Sequence, residues 1–393
     1  MIIRSIRATP VNIPLRAPYR FSYGSTGSLT KTVIELLTED GVTGLGECAD
    51  GDRASDAARM AERLLGRDLR DIGPARQACV PGMGYTPWGN VTAARRVFAG
   101  IEMAMWDARA KTEGQPLHRL LGGAVRTEIP LTEYFSYRLP GADEPGEASP
   151  AQIARYCARM IEQHDARIFE GKVGTVGLAE ELRMVAEVRA AIGERPLQLD
   201  ANGVWTLPTA REALGKLMDF DISWFEEPCE SYAEMAALRA HFPCSFSTHM
   251  VDLPAAVRLG CPDAVVTNIN ELGGISGAVD FIAACAAMGV GFRFHSGETG
   301  IASAAYLQLS AALEHVRGAS QTLLRWYGDD VIQGGPFVPK GGVVALPEGP
   351  GLGVTLDPAA LRRCHERYLA EGAFPAGASA PVGAAYGSGF RKI

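Results

Sequence analysis

Several signals that mark specialised proteins are missing from this chain. Its eight cysteines (48, 79, 157, 229, 244, 261, 285 and 364) are scattered without a single CxxC pair. That spacing excludes zinc-knuckle and disulfide-framework readings, and the expectation is reduced, mostly buried thiols in a cytoplasmic protein. There is no basic run and no aromatic–basic interleaving, and the net charge of −7 is made of both signs spread along the chain. Nucleic acid is therefore not an expected partner. The longest apolar stretches, such as Phe281–Val290, fall short of the ~20 residues a membrane span needs. The opening segment MIIRSIRATPVNIPL alternates like a strand and lacks the apolar core and cleavage site of a signal peptide. No GxGxxG follows an early strand, and the glycines of 273–277 only start a helix, so no dinucleotide site is expected.

What is present is a two-part pattern. With 393 residues, 47% of them hydrophobic, the chain can fill two domains and bury a large core. Residues 1–50 read as strands, with a hairpin turn at Glu39-Asp40-Gly41. Residues 55–121 turn helical, with apolar residues at i, i+3, i+4 and a glycine closing each segment. This predicts an α+β domain over 1–125. From about residue 128, short apolar strands alternate with amphipathic helices: PLTEYFS, ARIFEGK, PLQLDAN, ISWFEEP, CSFSTHM, DAVVTNIN, GFRFHSG and QTLLRWYG. Eight such units predict an α/β barrel over 126–350, with an open doubly wound sheet as the alternative. Residues 351–393 are expected to return to the first domain and end in a Gly/Ala-rich tail.

In a barrel the C-terminal ends of the strands line the site. Here they end on Lys172, on Asp200 with Asn202 two residues on, on Glu226-Glu227, on His249, on Asn268 and Asn270, and on His295. One charged strand end is expected by chance; six in succession predict a site. Asp200, Glu226 and a group from the fifth strand can converge on one cation, although by spacing Glu227 serves as well as Glu226. Two carboxylates favour Mg²⁺. His249 suits Mn²⁺, Zn²⁺ or Fe²⁺ better as a direct ligand, or it stands behind while Asp252 or water fills the position. Lys172 and His295 can flank a carbon bound between them, and a nearby cation would disfavour the charged lysine and make it a base. Asn202 fits either the site or a helix cap. The remaining histidines, 118, 164, 241, 315 and 365, fall in helical segments and are expected at the surface.

Longer motifs sharpen this reading. GIEMAMWDARAKTEGQPLHRLLGG (100–123), LDANGVW (199–205), WFEEP (224–228), NELGGISG (270–277) and PEGPGLGV (347–354) stand in an order that resembles the mandelate racemase and muconate-lactonizing branch of the enolase superfamily. The likeness is strongest to glucarate dehydratase-like acid-sugar dehydratases, through Asp200-x-Asn202, SFSTHM (245–250) and FHSGETG (294–300). The resemblance implies an α+β cap on a (β/α)7β TIM-like barrel, Mg²⁺ with Mn²⁺ as a substitute, and an ene-diolate formed from a small carboxylate substrate. It implies Lys172 and His295 as the acid/base pair and Asp200, Glu226 and His249 as metal ligands. Three positions depart from the pattern: Glu170 replaces the first lysine of a Lys-x-Lys pair, Asn268 replaces the aspartate behind His295, and the third ligand is a histidine. Glu170, Tyr19, Arg20 and Tyr23 are expected to face the substrate, with the loops 50–56 and 325–329. Dehydration of an acid sugar is the expected reaction, in a homo-oligomer. A racemase or epimerase, or a non-catalytic metal-binding barrel, are the alternatives.

Overall fold

The structure, a computed structural model, describes residues 1–49, 51–80, 90–295 and 297–374. It opens with an antiparallel sheet of β1 (Ile3–Phe21), β2 (Gly24–Thr38) and β3 (Thr43–Cys48), with the β2–β3 turn at the expected Glu39–Gly41. Helices α1 (Ala54–Ala61), α2 (Ile72–Cys79) and α3 (Asn90–Thr112) cover it, and Ile34, Leu36, Phe98, Ile101 and Met105 share one apolar cluster. The contact of β3 with α3 requires glycine: a Cβ on Gly46 would lie 2.0 Å from the Gly100 carbonyl oxygen. This close approach places Glu47, the next residue, against the second part of the molecule.

After α4 (Leu117–Leu120) and β4 (Glu128–Pro130) come seven parallel strands. They are β5 (Glu133–Phe135), β6 (Phe169–Lys172), β7 (Leu197–Asp200), β8 (Ile222–Glu226), β9 (Ser245–Thr248), β10 (Ala264–Thr267) and β11 (Gly291–Phe294), paired in strict chain order. The connecting helices are α5 (Pro150–His164), α6 (Leu178–Ile192), α7 (Leu207–Leu217), α8 (Tyr232–Arg239), α9 (Leu253–Leu259), α10 (Ile269–Leu272), α11 (Ile275–Met288) and α12 (Gly300–Ala312). Strand alternation sorts the side chains. Phe169, Leu197, Leu199 and Phe225 join the main apolar core, while Glu170 with Lys172 and Gln198 with Asp200 meet polar partners inside the ring.

The eighth strand is shorter than expected. Ser320 N–H donates to Pro130 O (3.1 Å), Thr132 N–H to Ser320 O (3.0 Å) and Gln321 N–H to Phe294 O (3.0 Å), which closes the barrel. Beyond Gln321 the hydroxyl of Thr322 accepts the N–H of Leu324 at 3.0 Å, and the chain bends into a 3₁₀ turn over Leu324–Trp326 instead of continuing QTLLRWYG as a strand.

Strand β12 (Val343–Ala345) then pairs with β4, and α13 (Pro358–Glu371) packs on β1. Asn12 Nδ2 donates to Glu371 Oε2 at 3.1 Å and to Gly372 O at 3.0 Å, and His365 Nδ1 meets Pro10 O at 2.7 Å. Most of the Gly/Ala-rich tail lies outside the described residues. All eight cysteines are buried and unbridged. His118 corrects the surface expectation: it is buried, with Gln308 Oε1 2.8 Å from its Nδ1 and 3.0 Å from its N–H. Among the described residues, no helix is long and apolar enough to cross a membrane.

Candidate active site

The strand ends open into a cavity of about 480 Å³ between barrel and cap. Of the residues singled out from sequence, Lys172, Asn202, His249, Asn268 and His295 line it from the barrel, and Tyr19 and Tyr23 from the cap. Asp200 and Glu226, in register with Lys172 on the neighbouring strands, are 0% and 1% exposed.

Ligand atoms of Asp200, Glu226 and His249 lie within 4.8 Å of one another. His249 Nδ1 is 2.6 Å from the carbonyl oxygen of Val266 and must donate to it, so in the neutral ring Nε2 is the bare nitrogen. That Nε2 stands 3.0 Å from Glu226 Oε1, which is buried and has no hydrogen-bond partner. Two acceptors at that distance need a positive species: a proton on Nε2, or a cation bonded to both. Adjacent ligands of an octahedral ion with bonds of 2.0–2.1 Å are about 3.0 Å apart. The three residues therefore fit a divalent metal. Burial opposes a proton on His249, but Glu226 and Glu227 outweigh it and push the ring up to about 10, so a metal would have to compete with that proton.

The backbone explains how Glu226 and Glu227 divide their work. Glu227 has a left-handed φ of 41°, rare for glutamate, which turns its side chain away from its neighbour's. Its Oε1 accepts the His249 N–H and the Thr248 hydroxyl, both at 2.8 Å. Asn202, also left-handed with φ 50°, clasps Asp200: its N–H donates to Oδ1 (2.7 Å) and its Nδ2 to Oδ2 (3.0 Å). Asn202 lines the cavity and caps no helix.

Lys172 Nζ bonds directly to Asp200 and lies 5.7 Å from the ring centre of Tyr134. Burial works against its charge, yet Asp200 outweighs burial and holds Lys172 well above the usual lysine range. The expected depression concerned a lysine beside a bound cation; here the carboxylate faces the ammonium directly. His295 is the reverse case. Burial first, then the charge of His249 at a ring distance of 4.8 Å, hold it well below the usual imidazole range.

Three expectations are corrected by geometry. Asn268 does not support His295: its Oδ1 accepts the N–H of Glu271 at 2.9 Å as the N-cap of α10, and among the described residues no hydrogen bond joins the two. Glu170 does not face the cavity. It sits a strand layer below Lys172, fully buried, bonded to Gln321 Nε2 and 3.8 Å from Arg293 Nη1, and burial pushes it up to about 7 despite that arginine. Arg20 is turned away by strand alternation, since Tyr19 and Phe21 take the cavity side, and it donates to Thr175 O at 2.8 Å.

The structure also adds residues that sequence reasoning missed. Arg293 crosses the barrel interior to Gln198, with Nη2 3.7 Å from Glu226 Oε2, and Gln321 Nε2 donates to the same oxygen at 2.7 Å. Glu47 of β3 accepts Thr299 N–H (3.0 Å), Thr299 Oγ1–H (2.6 Å) and Ala302 N–H (3.2 Å), pinning the start of α12 to the cap. Lys31, Tyr134 and Glu298 line the cavity. A lysine inside an apolar strand and a charge three residues after His295 were the available signals.

Comparison with known proteins agrees with this arrangement. Residues 3–122 match the mandelate racemase/muconate lactonizing enzyme N-terminal domain, and residues 152–360 match the enolase C-terminal domain-like family. A probable glucarate dehydratase of Streptomyces coelicolor is 29% identical over 371 residues, covering 86% of this chain and 85% of the relative. The crystal structure of an enolase from Mycobacterium smegmatis complexed with tartrate superposes with a TM-score of 0.87 at 30% identity, covering 94% of this chain and 93% of that one. An enolase from Thermobispora bispora complexed with magnesium and formate gives 0.86 at 29% identity, covering 95% and 94%. With its capping sheet, its sequentially wound barrel and its strand-end carboxylates, the chain belongs to the mandelate racemase/muconate lactonizing enzyme branch of the enolase superfamily.

Proposed function

We propose that the protein removes the proton α to the carboxylate of an acid sugar and expels the β-hydroxyl as water, through an ene-diolate, giving a 2-keto-3-deoxy acid. The observation that carries this reading is the convergence of Asp200, Glu226 and His249 beside Lys172 and His295 at one cavity. A divalent cation held by those three residues would take up the negative charge that the substrate carboxylate gains as the proton leaves, Mg²⁺ matching the carboxylates and Mn²⁺ the imidazole. Lys172 and His295 are the side chains placed to move the protons: His295, held neutral, can accept the α-proton and hand it to the departing hydroxyl, whereas Lys172 serves as the base only after losing its own proton, which a bound cation beside it would favour. Asn202 and Glu227 keep Asp200 and His249 oriented, and the cap excludes bulk water. A dehydratase among the relatives, and bound tartrate, formate and magnesium in related structures, support the same reading.

The test is a screen of mono- and dicarboxylic acid sugars with Mg²⁺ and Mn²⁺ in D₂O. Proton NMR reads α-proton exchange and 2-keto acid formation together. Recovery of an epimer without a keto acid overturns dehydration, and absence of exchange with every acid overturns the reaction class.

A further inference from the structure

Lys31 belongs to β2 of the cap, is 8% exposed, and lines the cavity. Its ammonium carries three N–H donors, and one is spent on the carbonyl oxygen of Ala49 at 2.7 Å. Among the described residues, no carboxylate lies within ion-pair distance of it, whereas the other cations of this cavity are paired, Lys172 with Asp200 and Arg96 with Glu271. Glu47 and Glu298 are the acids in its neighbourhood, and both are engaged elsewhere, Glu47 by Thr299 and Ala302 and Glu298 by the N–H of Gly297. A buried ammonium without a counter-ion is costly. Its persistence in a cavity wall points to an anion supplied from outside.

The rest of that wall sharpens the point. The hydroxyls of Thr26, Ser28 and Thr30 line the same cavity, and each has its proton committed, to Ser28 O (2.6 Å), Ile13 O (3.0 Å) and Asn12 Oδ1 (2.7 Å). None has a proton left for a ligand, and Thr30 Oγ1 also accepts the N–H of Phe374 at 2.7 Å. Among these strand residues, Lys31 is the cation that can meet an anionic group. We infer that Lys31 binds a second anionic group of the substrate, so that the site selects dicarboxylates over monocarboxylates. This inference rests on the reading that the first carboxylate sits beside Asp200, Glu226 and His249. Those ligands come from β7, β8 and the end of β9, while Lys31 comes from the cap, so the two anion-binding points occupy different walls.

The experiment is equilibrium calorimetry on the full-length protein with Mg²⁺. The probes are unreactive pairs of equal length: succinate against butyrate, glutarate against pentanoate, adipate against hexanoate. For the best pair, wild type should bind the dicarboxylate at least 10-fold more tightly. Lys31→Met should bring the ratio within 2-fold, and Lys31→Arg should keep most of it. Thermal melts confirm that the variants fold, and if Lys31→Met does not, Lys31→Gln takes its place with the same expected loss of selectivity. Equal wild-type affinity for both members of every pair overturns the inference. So does an unchanged ratio in Lys31→Met, or an equal loss for both probes, which would mean that Lys31 only braces Ala49. Because binding is read without turnover, failure of the proposed reaction in the D₂O screen leaves this result to be judged separately.

Discussion

The carboxylate of Glu227 accepts the backbone N–H of His249 at 2.8 Å, so the residue next to one metal-ligand candidate orients another. Removing it should loosen the imidazole without touching Asp200 or Glu226. Glu227→Ala is expected to weaken Mn²⁺ binding by roughly 10–100-fold, the usual cost of losing an outer-shell partner. Titration by electron paramagnetic resonance checks this, and an affinity equal to wild type would show that His249 holds its place unaided.

The two proton-moving candidates separate by exchange. Lys172→Ala and His295→Asn should each keep the fold. The variant lacking the α-proton base should lose deuterium exchange by about 10²–10⁴-fold. If His295→Asn retains exchange while losing keto acid formation, Lys172 is the base and His295 the acid.

Asn268 should behave as a helix cap. Asn268→Ala is expected to cost about 1 kcal/mol, whereas Asn268→Asp, an equally good cap, should leave the denaturation midpoint in place. The cap geometry also predicts no change in the pH dependence of any His295-linked activity in Asn268→Asp. A displaced profile would mean that the residue reaches His295 after all.

Beneath the site, Arg293 and Glu170 share the barrel interior with Gln321 and Glu226. Arg293→Met leaves a buried carboxyl without its cation and should cost about 3–5 kcal/mol in urea unfolding. Pairing it with Glu170→Gln should recover a large part of that loss, and strict additivity would break the inferred coupling.

Glu181 gives a pH prediction away from the metal-ligand candidates. Burial pushes it up to about 7 from an ordinary 4.5, although the N–H groups of Val176 and Thr175 and the charge of Arg20 pull the other way. A carboxyl raised on folding stabilises the native state while protonated. Its contribution is full below about 4.5 and is lost as pH rises through about 7. At its largest the loss is about 3 kcal/mol. Melting curves across that window should fall less steeply in Glu181→Gln than in wild type.

Much of this was legible in the sequence, for a physical reason. Parallel strands buried on both faces must be apolar, so an ionisable group at a strand end stands out, and Lys172, Asp200, Glu226, His249 and His295 were all visible that way. The βα alternation gave the barrel. Long-range contacts were not legible. Glu170 read as substrate-facing and Arg293 drew no reading, because sequence cannot say which barrel layer an inward side chain occupies. Gln321 lies where the expected eighth strand gives way to a turn set by one threonine hydroxyl. Lys31 and Glu47 sit in cap strands whose distant partner surface is not encoded locally, and Arg20 was misassigned because Tyr19, Arg20 and Phe21 pair with β2 as strand, so that adjacent side chains point to opposite faces.

The seat of α13 on β1 has a consequence for how the molecule is made. Asn12 and Glu371 stand 359 positions apart, yet they meet through a side-chain hydrogen bond. On the ribosome, β1 emerges ahead of the barrel and waits while every barrel strand is synthesised before the helix that covers it appears. Folding during synthesis favours segments whose partners are already out. The barrel can therefore close around a cap sheet still bare on one face, and the wall that carries Lys31 becomes final only once α13 has been made.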